Sequence, residues 1–204
     1  MNEKITVRTQ KVKHSHTKQR LCIFLGLVIL LMLVALFSEQ LAPYDPYAQN
    51  LDEALQPPSA RHIMGTDRHG RDMFSRVLVG GKTSIYSTLA LVAAISVFGT
   101  VVGTLCGYYG GKVDSIVMRI SDVCLAFPGL VFAMAVAALL GGGISNAVLA
   151  LAVISWPKYS RVARSQTLAL KSSPFIHAAR LSGNSSTRII LWHILPNILG
   201  PILV

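Results

Sequence analysis

The chain has 204 residues, of which 52% are hydrophobic and 14% are charged, and its formal net charge is +10. Soluble domains carry about 25% charged residues, so this composition indicates a membrane protein. The basic residues lie in loops between long apolar stretches and not along one face of a fold, which argues against nucleic-acid binding. The three cysteines lie in or beside apolar stretches without a CxxC pair, which predicts neither a disulfide framework nor a zinc site.

The first half of the chain predicts two membrane-spanning helices. Residues 21–37 contain no charged residue. This stretch is longer than the apolar core of a signal peptide, which has about 7–15 residues, and no small-residue cleavage site follows it. We therefore expect an uncleaved first span there. The uncharged residues 85–109 predict a second span.

A long uncharged region in the second half predicts two more spans. Residues 123–157 are too many for one helix to cross a bilayer. The glycine cluster in "GGGISN" favours a turn at 141–146. We expect a third span at 115–140, kinked at Pro128, and a fourth at 145–161.

Three glycines repeat at intervals of four within the second predicted span. Gly99, Gly103 and Gly107 fall on one face of a helix. Small residues at that spacing allow two backbones to approach closely, although glycine is also common in membrane helices in general. We expect this face to pack against another helix.

The distribution of charge predicts the orientation in the membrane. Residues 1–20 carry six Lys or Arg and one acid, and residues 158–188 carry six Lys or Arg and no acid. The loop at 38–82 has six acids and five bases. The positive-inside rule places both basic segments in the cytoplasm and the loop outside, and four spans between the two segments agree with this.

The cytoplasmic segment predicts a short helix over residues 174–182. Ser173 can cap its start, Pro174 suits its first turn, and Gly183 can end it in the left-handed conformation. So short a helix is marginal alone in water and needs a packing partner. It can lie on lipid as an interfacial helix, or it can dock into a groove on a cytoplasmic protein.

This segment resembles the EAA loop of ABC importer permeases. The match consists of Ala178, Ala179, Gly183, Leu195 and Pro196. The family's acidic position is His177 here, and a histidine is mostly neutral at pH 7. In that family the loop forms the coupling helix that inserts into the ATP-binding subunit. The resemblance assigns ATPase coupling to Phe175, His177, Ala178, Ala179, Gly183 and Pro196.

Five further stretches resemble the C-type subunit of peptide/nickel permeases. They are "LAPYDP" (41–46), "GTDRHGRDMFSR" (65–76), "GGKTS" (80–84), "DVCLAFP" (122–128) and "HILPN" (193–197). The resemblance implies an inner-membrane, multi-pass pore subunit with a cytoplasmic N-terminus. Its partners would be membrane lipid, a second homologous permease, two ATP-binding subunits and an extracytoplasmic solute-binding protein. The cargo can be a dipeptide, an oligopeptide or a nickel complex.

The resemblance also implies that the chain is truncated. Residues 189–204 are mostly apolar and predict the start of a fifth span, whereas family members continue through a sixth. The predicted fold class is therefore all-α: a polytopic bundle of four complete spans, part of a fifth and the coupling helix. The predicted divisions are a basic tail (1–20), a first span with its outer loop (21–84) and a truncated importer domain (85–204).

Sites of other kinds find little support in the sequence. "RVLVGGKTS" lacks the first glycine of a phosphate-binding loop, so we expect no nucleotide cofactor. The histidines and carboxylates in "RHIMGTDRHGRD" can bind a divalent metal, but a structured loop explains them as well. No catalytic constellation is present, so we predict no enzymatic activity. The alternatives to an importer subunit are an ATP-independent channel or secondary transporter, and a non-functional fragment.

Overall fold

The structure, a computed structural model, describes residues 14–203, and over that range it is helical with no strands, which confirms the all-α class. Most of the predicted basic tail (residues 1–13) lies outside the described residues. The helices are α1 (His14–Leu36), α2 (Ser38–Leu41), α3 (Met73–Tyr109), α4 (Gly111–Ala126), α5 (Gly129–Leu139), α6 (Ile144–Lys171), α7 (Pro174–Leu181), α8 (Ser186–Ile189) and α9 (Leu195–Leu203). A 3₁₀ turn covers Leu51–Glu53, and a π-helical segment covers Ile190–Ile194.

Two of these helices are long and apolar enough to cross a bilayer. They are Gln19–Leu36 within α1, and α3. Both contain a predicted span, but α3 begins twelve residues before residue 85. Its 37 residues extend about 55 Å at helical rise, which exceeds a hydrocarbon core of about 30 Å. Part of α3 therefore has to project from the membrane.

The third predicted span is two helices. α4 and α5 meet at Phe127 and Pro128 with a bend of 89°. Proline lacks the N–H that would continue the helix, and it disfavours helical backbone in the residue before it, which here is extended. Pro128 thus breaks the helix where a kink was predicted. The bent pair is either one broken span or a re-entrant loop.

The fourth predicted span lies within α6, but α6 continues to Lys171 and is not among the helices long and apolar enough to span. Its second half carries Lys158, Arg161 and Arg164. The described residues therefore contain two clear spans, or three if the bent pair counts as one, and four complete spans are not confirmed. The predicted turn at 141–146 is present, since Gly141, Gly142 and Gly143 all have positive φ.

The chain forms two compact units, Met1–Ile85 and Tyr86–Val204. In the first unit, Asp72 organises the loop that precedes α3. One oxygen of its buried carboxylate accepts hydrogen bonds from the Ser75 N–H (2.8 Å) and hydroxyl (2.7 Å), as a helix cap does. The other oxygen lies 2.9 Å from Nδ1 of His62, whose ring packs on Tyr44. The start of α3 and the loop thus share one buried anchor.

The acidic residues of this loop have internal partners. Asp67 accepts from the Arg71 guanidinium at 2.8 Å and from the backbone N–H groups of His69 and Arg71. Glu53 lies 2.8 Å from Arg61. Over the described residues 14–203, no group of three or more His, Cys, Asp or Glu is arranged to hold a metal ion.

In the second unit, α3 and α6 approach closely along the three predicted glycines. A Cβ atom at Gly99 would lie 2.7 Å from the Trp156 carbonyl oxygen, and one at Gly107 would lie 2.9 Å from that of Arg164. A Cβ at Gly103 would overlap the carbonyl oxygen of Ser160. Each glycine therefore faces backbone four residues further along α6, and the absence of a side chain permits the contact.

We expect Gly103→Ala to destabilise the folded chain by about 1–3 kcal/mol, because the added methyl group meets main-chain atoms that cannot rotate away. Gly81→Ala is the matched control. It lies on the same helix with open space around its Cβ position, and alanine improves helix propensity by about 1 kcal/mol. Thermal unfolding in detergent measures both; equal midpoints for the two variants would contradict a close helix contact at residue 103.

We expect the outer loop to lose stability in acid. Burial raises the pKa of Asp72, but the hydrogen bonds from Ser75 and His62 outweigh burial and leave that pKa below its usual range. The Arg71 guanidinium likewise lowers the pKa of Asp67. A lowered folded pKa adds stability that is complete above the ordinary Asp pKa of about 3.9 and is lost as the pH falls through the lowered value.

Hydrogen exchange of residues 42–72, corrected for intrinsic rates, should therefore stay constant from about pH 7 to pH 5 and accelerate below about pH 4. Asp72→Asn should raise exchange at pH 7 and weaken the acid dependence. Asp52→Asn is the control, because Asp52 is exposed. An unchanged pH profile in Asp72→Asn would show that this carboxylate does not stabilise the loop.

Candidate functional site

The predicted cytoplasmic helix is present as α7, Pro174–Leu181. Pro174 occupies its first turn, as predicted, where the missing N–H has no helical partner to lose. Ser173 precedes the helix, but its side chain does not cap it. Its hydroxyl donates to the Leu170 carbonyl oxygen at 2.5 Å, and so it fastens the turn between α6 and α7.

The end of α7 has the hydrogen bonds of a Schellman motif. The Asn184 N–H donates to the Ala179 carbonyl (3.2 Å), and the Gly183 N–H donates to that of Arg180 (3.0 Å). Gly183 has a φ of +78°, the left-handed conformation that the sequence predicted. The Asn184 side chain also donates to Ala179 at 2.9 Å. The chain therefore leaves α7 in one defined direction.

One face of α7 is buried in an apolar socket. Ile176 is 0% exposed and Ala179 is 9% exposed. The socket consists of the buried residues that cluster with them: Tyr108, Ala163, Ile189, Ile190, Ile194 and Ile198. Burying such a face supplies the packing partner that an eight-residue helix requires.

The opposite face of α7 is exposed and partly apolar. Phe175 is 44% exposed and Leu181 is 90% exposed, and His177 and Ala178 lie between them in sequence and are also exposed. A short helix with one anchored and one open apolar face is suited to dock into a groove of another protein.

The six predicted coupling residues do not share one surface. Phe175, His177 and Ala178 lie on the exposed face of α7, whereas Ala179 points into the socket and Gly183 ends the helix. Pro196 lies in α9 and is exposed. The π-helical segment Ile190–Ile194 comes just before this proline, which cannot donate a backbone hydrogen bond.

Leu181 belongs to the same exposed face of α7 and was not among the six predicted coupling residues. Its spacing from Phe175 and Ala178, three residues at each step, is the pattern of one helix face and was available in the sequence.

Two ion pairs that the sequence did not predict join α4 to α6. Arg164 contacts both oxygens of Asp114, at 2.5 and 2.6 Å. Arg161 pairs with Asp122. Because the partners are about 40 and 50 residues apart, only the fold brings them together. They fasten α6 shortly before the turn that leads into α7.

Two segments of the chain match families of known proteins. Residues 99–204 match the family described as "Binding-protein-dependent transport system inner membrane component". Residues 22–58 match the "N-terminal TM domain of oligopeptide transport permease C". The first match includes α7, its socket and the glycine face of α3.

Individual relatives agree with these matches. The chain is 46% identical to the probable D,D-dipeptide transport system permease protein of Escherichia coli, over 87% of this chain and 60% of that protein. It is 40% identical to the dipeptide transport system permease protein of Alkalihalophilus pseudofirmus (92% and 62%) and to the glutathione transport system permease protein of Pectobacterium atrosepticum (92% and 63%). The chain thus spans less than two thirds of the length of these relatives.

We expect Gly183→Val to loosen α7. The left-handed conformation costs an L-residue about 1–2 kcal/mol, more for a β-branched one, so amide exchange in residues 174–182 should rise about tenfold. Gly183→Asn is the matched control, because asparagine tolerates this conformation and a Cβ there meets no atom within 4 Å. Equal exchange in the two variants would show that the backbone conformation at residue 183 does not support the helix.

Proposed function

Because the chain belongs to the family of binding-protein-dependent transport system inner membrane components, we propose that it is a pore subunit of an ATP-driven importer of small peptides. The subunit forms half of the translocation path and couples to separate ATP-binding subunits through α7 and its flanks, residues 165–190. It hydrolyses no ATP itself.

The observation that carries this proposal is the geometry of α7. Its buried face, with Ile176 fully enclosed, fixes the helix to α6 and to the helical segment that follows. Its other face leaves Phe175 and Leu181 open. A helix that has to move when an ATPase closes requires both features, because a loosely held helix would move without displacing the helices behind it.

The proposed mechanism is alternating access. Closure of the ATP-binding subunits displaces α7, and the socket passes the displacement to α6 and to the end of α3. The bidentate pair between Asp114 and Arg164 then carries α4 along with α6. The helices tilt around the path and open it to one side of the membrane at a time.

Several observations support the partners and the orientation. A subunit that forms half of a path requires a second permease, and the family description refers to a binding protein. Residues 158–188 carry six bases and no acid, which supports a cytoplasmic position for α7. Residues 1–20 carry six bases and one acid, which supports a cytoplasmic N-terminus, with the loop at 38–82 on the side of the binding protein.

The names of the relatives favour peptides as cargo. Those proteins are described as permeases for D,D-dipeptides, dipeptides and glutathione. We therefore propose a peptide of two or three residues, in preference to a nickel complex.

The decisive experiment is affinity purification of the tagged chain from its native membranes, with mass spectrometry of the proteins that accompany it. Recovery of an ATP-binding protein, a second permease and a solute-binding protein would support the proposal. Recovery of the chain without an ATP-binding protein would favour an ATP-independent channel or an inactive subunit and would contradict it.

We expect Leu181→Asp to reduce recovery of the ATP-binding subunit at least tenfold, because it places a charge on the exposed apolar face of α7 that is proposed to dock. The chain should still fold, since Leu181 is 90% exposed. Leu51→Asp is the matched control: Leu51 is 71% exposed and lies in the outer loop, so its substitution should leave recovery unchanged. Equal recovery in both variants would exclude Leu181 from the interface.

A further inference from the structure

Tyr108 lies where three helices meet. It is the second-to-last residue of α3 and is 6% exposed. Its ring belongs to the socket that holds α7. Two cations lie close to it: the Arg180 guanidinium is 5.3 Å from the ring centroid, and Lys171 Nζ is 5.7 Å away. Lys171 ends α6, and Arg180 lies in the last turn of α7.

Both distances are within the range of about 6 Å over which a cation is attracted to an aromatic face. Within residues 14–203, neither Lys171 nor Arg180 forms an ion pair with a carboxylate. The face of the Tyr108 ring, where the π-electrons lie, attracts both cations. The ring is buried and Lys171 is half-buried, whereas Arg180 is exposed, so water competes less for Lys171 than for Arg180.

We propose that Tyr108 is the positioning residue that links the coupling helix to α3. A displacement of α7 moves the Arg180 guanidinium, the ring follows it, and the end of α3 moves with the ring. Lys171 holds α6 to the same ring, so that α3, α6 and α7 move as one body. This inference rests on the proposed function, because it assumes that an ATPase moves α7.

The aromatic ring of Tyr108 adds a directional contact to the apolar packing of the socket. Contacts between isoleucine side chains are non-directional. A cation over an aromatic face has a preferred position, and the two cations near this ring come from two different helices, α6 and α7. If residue 108 loses its aromatic ring, a displacement of α7 should therefore no longer reach α3, even when an apolar side chain fills the same space.

The test uses the complete complex, purified from native membranes into lipid nanodiscs. Val77→Cys reports on α3, since Val77 is 53% exposed on that helix and precedes the predicted span at 85–109. The probe is N-ethylmaleimide, and mass spectrometry of the peptide that contains residue 77 gives its labelling rate while the native cysteines remain in place. Labelling is compared without nucleotide and after trapping with ATP and vanadate.

We expect trapping to change the labelling rate at residue 77 about fivefold when Tyr108 is unchanged and less than about twofold in Tyr108→Leu. ATP hydrolysis should persist in Tyr108→Leu, because the docking face of α7 is untouched. Tyr108→Phe retains the aromatic face and should retain the full change. Tyr86→Leu is the matched control, since Tyr86 is a 44% exposed tyrosine on the same helix.

A second pair of variants tests the link with the ring intact, in case leucine at residue 108 prevents assembly. Replacement of Lys171 and Arg180 together by glutamine should abolish the labelling change. Replacement by Lys171→Arg and Arg180→Lys should retain it. A full response in the glutamine variant, or an equal loss in Tyr108→Leu and Tyr108→Phe, would overturn the proposal, because transmission would then not depend on a cation facing a ring.

The experiment distinguishes a failure of the proposed function from a failure of the inference on Tyr108. A preparation without any ATP-binding subunit contradicts the proposed function and this inference with it. A complex that hydrolyses ATP but shows no labelling change at residue 77 when Tyr108 is unchanged overturns the inference alone, because α3 then does not respond to nucleotide.

Discussion

The burial of Ile176 and Ala179 in the isoleucine socket is the interaction on which the proposed coupling depends. A helix of eight residues does not persist in water, because too few hydrogen bonds offset the ordering of its backbone. Packing against α6 and the helical segment after α8 supplies what is missing. The same burial leaves Phe175 and Leu181 on the outside, so one constraint both stabilises the helix and determines which face a partner meets.

The socket is held in turn by contacts along α6. The glycines of α3 bring its backbone against α6, and the ion pairs from α4 hold α6 from another side. The pair of Arg164 with Asp114 is partly buried, so removing its charges from water offsets much of their attraction. The pair of Arg161 with Asp122 is exposed, and pairs of that kind add little stability. Since α7 follows α6 after two residues, whatever orients α6 also orients the docking face.

Local sequence signals, chiefly proline and glycine, predicted where several helices begin and end. Pro174 and Gly183 marked the start and end of α7, because proline and glycine impose backbone geometry whatever surrounds them. The sequence predicted the positions of the bend at Pro128 and of the turn that begins at Gly141 for the same reason. The size of the bend at Pro128 was not, because the angle between two helices depends on what each packs against. The capping role predicted for Ser173 was wrong, because its hydroxyl had a nearer acceptor in the preceding turn.

The sequence by itself determined the helical class, the family, the position of α7 and the glycine face of α3, because composition, spacing and backbone preference are local properties. Only the tertiary structure decided the partner of that face, the ion pairs of α4 with α6, the inward position of Ala179 and the cations near Tyr108. Each of these joins residues that are far apart in the chain, and no periodicity within one segment specifies which distant segment will meet it.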